Sequence, residues 1–216
     1  MSPCERTWRR PDRRLLFSLA AVAVAGMCQG RARAVGQPDA RQPVEDLYAA
    51  LSSAVRANLS FAQRFVRLAP VIDRVFDLNA ILQTSVGLRW AALDEASRAE
   101  LFTVFRAFTI ASYTANFDNG SGVKFQVLPQ ERTSGSDVIV ESTLIPSGGD
   151  SVRIDYLMRD GTGGWRIVDV LLNGSISRVA VQRSDFRSLL ASGSPVPLID
   201  SLKKKVSELS DGTMRP

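Results

Sequence analysis

Part-way along this chain the period of its apolar residues changes, and few folds accommodate that change. From residue 44 to 118 apolar side chains recur at spacings of three and four; from 123 to 172 they alternate. The first spacing lines one face of a helix, the second one face of a strand. Helices first and strands afterwards argue for an α+β fold.

The helical half is punctuated. Val44, Leu47, Tyr48, Leu51 and Val55 make one apolar face. A second stretch, Phe61 to Leu68, is expected to end at Pro70, which lacks the amide a helix interior uses. Asp77 reads as the N-cap of a helix over 78–86 closed by Gly87, and Asp94 as the N-cap of the longest helix, reaching about Phe117. On that helix Leu101, Phe105, Phe108 and Ser112 form a stripe, with Phe102, Thr109 and Tyr113 beside it.

In the strand half, residues 123–127 alternate strictly and Pro129 marks an edge or a bulge. The second strand covers Val138–Ile145. On the third, Val152, Ile154, Tyr156 and Met158 share one face; Arg153, Asp155 and Arg159 share the other, expected to meet water. The fourth covers Trp165–Leu172. Short, turn-rich connections predict a four-stranded antiparallel meander. Ser175 is a candidate cap for a following helix, and a last amphipathic helix covers Leu198–Leu209.

Ahead of this domain, Arg9 to Arg14 is a basic segment and Leu15 to Cys28 an apolar run broken only by Ser18. Fourteen helical residues rise about 21 Å, short of a bilayer core of about 30 Å, so the run suits a secretion signal better than an anchor. Ala32-Arg33-Ala34 fits a signal-peptidase site. The expected organisation is a signal over 1–34, a flexible leader over 35–43, one domain over 44–210 and a disordered tail over 211–216. Export by the general secretory route is expected, with the twin-arginine route as the minority option.

Cleavage there changes the electrostatics. The whole chain has 27 Lys+Arg and 22 Asp+Glu; the signal removes seven arginines and two acids, leaving 20 of each sign. The basic pI of about 9.7 then says nothing about nucleic acid, and none is expected as partner. Both cysteines, Cys4 and Cys28, leave with the signal, and the chain has no histidine. Ser-His-Asp and Cys-His catalysis and the usual zinc sites therefore drop out, and no metal or cofactor is expected. Carboxylate chemistry remains: Asp155 and Asp169 lie on neighbouring strands. Asp169, flanked by Val168 and Val170, reads more readily as a buried structural group.

The strand–helix junction carries a family resemblance. Trp165-Arg166-Ile167-Val168-Asp169-Val170, then Asn173-Gly174-Ser175-Ile176-Ser177, then Arg183-Ser184-Asp185-Phe186 resembles the MlaC family of periplasmic phospholipid-binding proteins, also called toluene-tolerance or Ttg2-type auxiliary proteins. Upstream, Gly87-Leu88-Arg89-Trp90, Phe102 to Arg106, Tyr113 and Gly122 fall in the family's order. The likeness covers roughly residues 44–208. Within the family, Asp169 to Arg183 looks most like the hopanoid-associated HpnM branch. Two positions depart from the family pattern: Ile176 stands for the usual Val, and Val181-Gln182 for the usual Asn-Tyr.

The resemblance implies a helical cluster on a curved antiparallel sheet with an apolar cavity between them. It implies a monomeric lipid carrier that is not an enzyme. The cargo would be phospholipid or a hopanoid-type lipid, moved between an outer-membrane complex and an inner-membrane ABC transporter with its MCE-type protein. Two acyl chains of about thirty CH₂ bury roughly 25 kcal/mol of transfer free energy and need on the order of 1,000 Å² of apolar wall. Candidate wall residues are Phe105, Phe108, Tyr113, Val138, Val140, Ile154, Tyr156, Met158, Val168 and Val170. Trp90, Trp165, Asp169, Gly174, Ser177 and Arg183 are motif residues with expected structural roles. Periodicity alone leaves open a filled core, and two other functions stand beside the carrier: an isomerase or hydratase acting through Asp169 and Tyr156, and a lipid-free envelope adaptor.

Overall fold

The computed structural model describes residues 39–117, 122–214 and 216. The expected signal, its cleavage site and both cysteines lie outside the described residues, as do residues 35–38 of the expected leader. The described residues belong to one compact unit, Gln37–Pro216.

Four helices come first: α1 (Gln42–Arg56), α2 (Phe61–Val75), α3 (Leu78–Val86) and, after a 3₁₀ turn over Gly87–Ala92, α4 (Glu95–Asn116). Five strands follow: β1 (Lys124–Ser134), β2 (Asp137–Ile145), β3 (Val152–Gly161), β4 (Gly164–Leu172) and β5 (Ile176–Ser177). Two helices close the chain, α5 (Arg178–Leu189) and α6 (Val196–Leu209). The α+β order read from the sequence is the order observed.

Local chemistry sets most boundaries. Ser60 and Gln63 form a reciprocal capping box at the start of α2, Asp77 accepts the Ala80 amide at 2.9 Å, and Asp94 accepts the Ser97 amide at 2.8 Å. Contrary to the expectation from Pro70, α2 runs on to Val75 with that proline inside it. The carbonyl that loses its amide partner there is that of Val66, and both Val66 and Pro70 are on the exposed face. Water can solvate the freed group, so the break that a buried proline forces does not occur. At the other end, Ala40 is buried in the core and Asp39 holds the Arg41 guanidinium, so the last residues of the expected leader are part of the fold. From Asp211 to Met214, where a disordered tail was expected, the chain turns back: Gly212 donates to the Ser207 carbonyl at 2.8 Å and the Met214 amide to the Ser210 hydroxyl at 3.0 Å.

The sheet is antiparallel in the order β1-β2-β3-β4-β5. The four expected strands are present, and a fifth of two residues is added by the turn at Asn173-Gly174. Both of these residues have positive φ, 52° and 73°, and Ser175 donates to the Leu172 carbonyl, the pattern of a type I′ turn. The cap of α5 is therefore Ser177 rather than Ser175: its hydroxyl accepts the Ala180 amide at 2.9 Å. Pro129 lies in a bulge of β1, which is also the sheet edge. A second irregularity sits in β4, where Asp169 pairs with Leu157 but Ile167 pairs with Met158, leaving Val168 as the extra residue.

One sheet face carries the main core. Tyr156, Met158 and Ile167 pack there with Leu47, Leu51, Leu68, Ile72, Leu82 and Leu101 from the helices. The other face was expected to meet water, yet Asp155 is fully buried. Arg132 and Arg153 close over it, each placing a guanidinium nitrogen 2.8 Å from Oδ2, and both also pair with Glu141. The arginines remain 45 % exposed, so long side chains cover the acid while their charged ends stay in water.

Gly87 ends α3 at φ 68° and ψ −140°, a combination that is strained for any residue with a β-carbon. A Cβ there would also lie 3.2 Å from Nε of Arg183, which packs over the glycine. Gly87→Ala is expected to destabilise the fold by about 1–3 kcal/mol, read as a lower urea midpoint at unchanged slope.

Candidate functional site

Between α3, α4, α5 and the sheet lies a pocket of about 520 Å³. One face of α4 supplies much of its wall: Phe105, Phe108, Thr109, Ser112, Tyr113, Asn116 and Phe117, at helical steps of three and four. The link before α3 and α3 itself add Phe76, Leu78 and Ile81. The sheet adds Leu144, Ile154, Tyr156, Asp169, Val170 and Leu172, and α5 adds Arg178, Val179 and Gln182.

Two of the polar wall residues donate to their own helix. The Thr109 hydroxyl donates to the Phe105 carbonyl at 3.0 Å and that of Ser112 to the Phe108 carbonyl at 2.8 Å. Their hydroxyl protons are committed one turn back on their own helix, so neither offers a donor to the pocket. Aromatic rings run along one side in contact: Phe76 with Tyr113 at 5.4 Å between centroids, Tyr113 with Phe117 at 6.1 Å, Phe117 with Phe125 at 5.4 Å, Phe125 with Tyr48 at 4.5 Å and Tyr48 with Tyr156 at 5.8 Å.

The three tyrosine hydroxyls are neutral. Burial pushes the pKa of Tyr48, Tyr113 and Tyr156 above the ordinary value, and for Tyr156 the neighbouring tyrosines push it further. Tyr48 donates to the Ser142 hydroxyl at 2.6 Å, and Ser142 in turn to the Ile154 carbonyl. Raised values make Tyr156 a poor proton donor or acceptor near neutral pH.

Asp169 is also committed. One carboxylate oxygen accepts the amides of Val170 at 2.7 Å and Val179 at 3.1 Å; the other accepts the Ser177 hydroxyl at 2.5 Å. The acid thus pins the first turn of α5 to β4, where a negative charge suits the helix N-terminus. Asp155 pairs in register with Leu171, and Asp169 with Leu157, so the two carboxylates are offset along the strands. Asp155 lines no part of the pocket.

Of the wall residues expected from the sequence, Phe105, Phe108, Tyr113, Ile154, Tyr156 and Val170 lie on the pocket. Val138, Val140, Met158 and Val168 do not. Val140 and Met158 are fully buried in the packed core, Val138 pairs with Met158 at the same end of the sheet, and Val168 is put out of step by the bulge. The motif residues stand around the pocket rather than in it, apart from Asp169. Ser177 caps α5, and a Cβ on Gly174 would come within 2.8 Å of Nε of Arg153. Arg183 covers Gly87, Trp165 packs on the core, and Trp90 holds the Arg98 guanidinium 5.6 Å over its ring. The contributions of α3 and α5 were missed, because nothing in a helix's own period says that a distant helix shares its pocket. The step from Tyr113 to Asn116 and Phe117 was legible as a continuation of the α4 face.

The MlaC protein family model matches residues 42–204. The chain belongs to the MlaC family. Its fold is shared with a solved phospholipid-binding protein from Ralstonia solanacearum, determined in complex with a phospholipid. The TM-score is 0.68 at 19% identity, over 80% of this chain and 99% of that one. No curated protein matches the chain by sequence. In this MlaC-family chain the matched residues include every helix and strand that lines the pocket.

Tyr48, Tyr113 and Tyr156 are the chain's three tyrosines, so their titration is readable without background. In the unfolded chain they ionise near 10.0, whereas in the folded protein they hold their protons above that value. Above pH 10 the unfolded state then binds fewer protons than the folded one. Stability is expected to be complete below pH 10 and to fall as pH rises past it, with phenolate absorbance appearing only as the protein unfolds. A normal phenolate titration in the folded state would contradict the buried placement.

Proposed function

We propose that this chain is a periplasmic lipid carrier without catalytic activity, taking the acyl part of a phospholipid into the pocket between α4 and the sheet. The observation that carries the reading is the α4 face. Phe105, Phe108, Tyr113 and Phe117 border open space while also packing on core and aromatic neighbours, whereas protein interiors otherwise fill such space. A volume of about 520 Å³ lies within the roughly 300–1,000 Å³ range of small-molecule sites. Membership of the MlaC family and the shared fold of the phospholipid-bound Ralstonia protein support the same reading.

The competing readings have less behind them. An isomerase or hydratase needs Asp169 free and Tyr156 able to exchange a proton; the first is occupied by three hydrogen bonds and the second is held protonated by burial. A lipid-free adaptor has no use for an aromatic face turned to a pocket. In the carrier reading, the chain works as a monomer between an outer-membrane partner and an inner-membrane ABC transporter with its MCE-type protein. Phospholipid is the proposed cargo. The likeness of Asp169 to Arg183 to the hopanoid-associated branch makes a hopanoid-type lipid the other cargo to assay.

The test uses the purified protein stripped of lipid and incubated with phosphatidylethanolamine–phosphatidylglycerol vesicles, then separated and assayed for bound lipid by native mass spectrometry. About one lipid per chain is expected. Ser112→Trp, which fills the pocket from α4, is expected to lower uptake about tenfold while costing about 1–3 kcal/mol of stability at most. Protein that stays lipid-free, or uptake indifferent to the filled pocket, sinks the proposal.

A further inference from the structure

Among the described residues, the pocket wall contains one cation and one acid. The acid, Asp169, is fully engaged by Ser177 and by the amides of Val170 and Val179. The cation, Arg178, is not. It is exposed, it lines the pocket, and among the described residues it forms no salt bridge. Elsewhere buried or half-buried acids hold arginines firmly, as Asp155 holds Arg132 and Arg153, and Asp137 holds Arg159. Arg178 is therefore a charge left available at the mouth of an apolar site.

The backbone of α5 does not compete for an anion there. Two of its first-turn amides are already satisfied inside the protein, that of Val179 by Asp169 and that of Ala180 by Ser177. An anion at this end of the helix therefore meets the Arg178 side chain. One turn on, at the i+4 position on the same face, Gln182 accepts the Ser85 hydroxyl on its Oε1 at 3.2 Å. That bond leaves the Nε2 amide of Gln182 as a second uncommitted donor in the pocket wall. The Arg178 charge is felt at Tyr113: burial pushes that phenol up, and the guanidinium opposes the push. The arginine's charge therefore acts into the pocket rather than only outward.

We propose that Arg178, with Gln182 beside it, is the contact for an anionic phosphate group at the mouth of the pocket, the phosphodiester of an amphiphile whose chains occupy the apolar interior. The assignment rests on the carrier reading and sharpens it. Donors without a spare acceptor suit a ligand that only accepts, and a guanidinium matches two phosphate oxygens with two parallel N–H bonds. The order of chemistry also fits an amphiphile: Phe105 and Tyr156 are fully buried, whereas Arg178 is in water. An uncharged lipid with the same chains gains the apolar wall and forgoes the arginine.

The experiment is a competition. Lipid-stripped protein is incubated with vesicles containing equal amounts of dioleoyl phosphatidylglycerol and dioleoylglycerol in a phosphatidylcholine background, and the ratio of the two on the recovered protein is measured by mass spectrometry. The wild-type chain is expected to favour phosphatidylglycerol. R178Q is expected to lower that ratio about three- to tenfold, and R178K, which keeps the charge but not the paired donors, to lower it less. The Arg178 side chain takes no part in capping α5, so an unchanged thermal midpoint is expected in both variants. An identical ratio in wild type and R178Q overturns the assignment and leaves the carrier reading standing. Failure of the wild-type chain to take up either lipid overturns both. Calorimetric titration of stripped protein with inorganic phosphate separates the two sources of the group. Absence of binding supports the headgroup, whereas saturable binding lost in R178Q marks a free-anion site and overturns the lipid assignment.

Discussion

The amide of Asp77 donates to the carbonyl of Ile167 at 2.9 Å, beside a bridge between Phe76 and that residue. This is where the turn between α2 and α3 is tied to β4. A few residues along the same strand, Asp169 ties down the start of α5. Space inside a protein is lost unless the elements around it are kept from closing, because every unfilled surface forfeits dispersion contacts. The two ties hold α3 and α5 to one strand at fixed points, and α4 crosses in front of them. The pocket lies between the elements so tied, bordered by these hydrogen bonds and lined by apolar residues.

That arrangement explains where sequence reasoning succeeded and where it failed. The face of α4 was legible because its residues repeat at three and four, and the caps at Asp77 and Asp94 because short polar residues precede apolar periodicity. The sheet side was read by alternation alone. Ile154, Tyr156 and Val170 follow it to the pocket, but alternation cannot tell a position over the pocket from one over the packed core, where Val140 and Met158 lie. It also fails at a bulge, which is how Val168 fell out of step. Asp155 was placed in water by parity, and it is on the predicted face. Its burial comes from two arginines that fold across it, a tertiary event no local pattern encodes. Leu78, Ile81, Val179 and Gln182 reach the pocket only because α3 and α5 are brought to it from far apart in the chain.

Much of the charge and polarity around the site is consumed internally. Thr109 and Ser112 bond to their own helix, Tyr48 to Ser142, and Asp169 to three donors. Catalysis needs reactive groups pre-aimed at a substrate; among the described residues of the pocket wall, what stays uncommitted is apolar surface with the side chains of Arg178 and Asn116 and the Nε2 amide of Gln182. This distribution fits carriage, in which apolar chains are covered and a polar end stays wet. It also agrees with the balance of a domain that has neither histidine nor, after the expected cleavage, cysteine.

The central claim is that acyl chains lie against the α4 face. A phospholipid carrying a photoactivatable diazirine in its acyl chain, loaded onto the protein and irradiated, reports the contact directly when the adducts are mapped by peptide mass spectrometry. Adducts concentrated between Phe105 and Phe117, with others at Ile154 and Val170, are the predicted result. Adducts spread over the Asp155 face of the sheet, or none above the level of a non-binding protein, would contradict it.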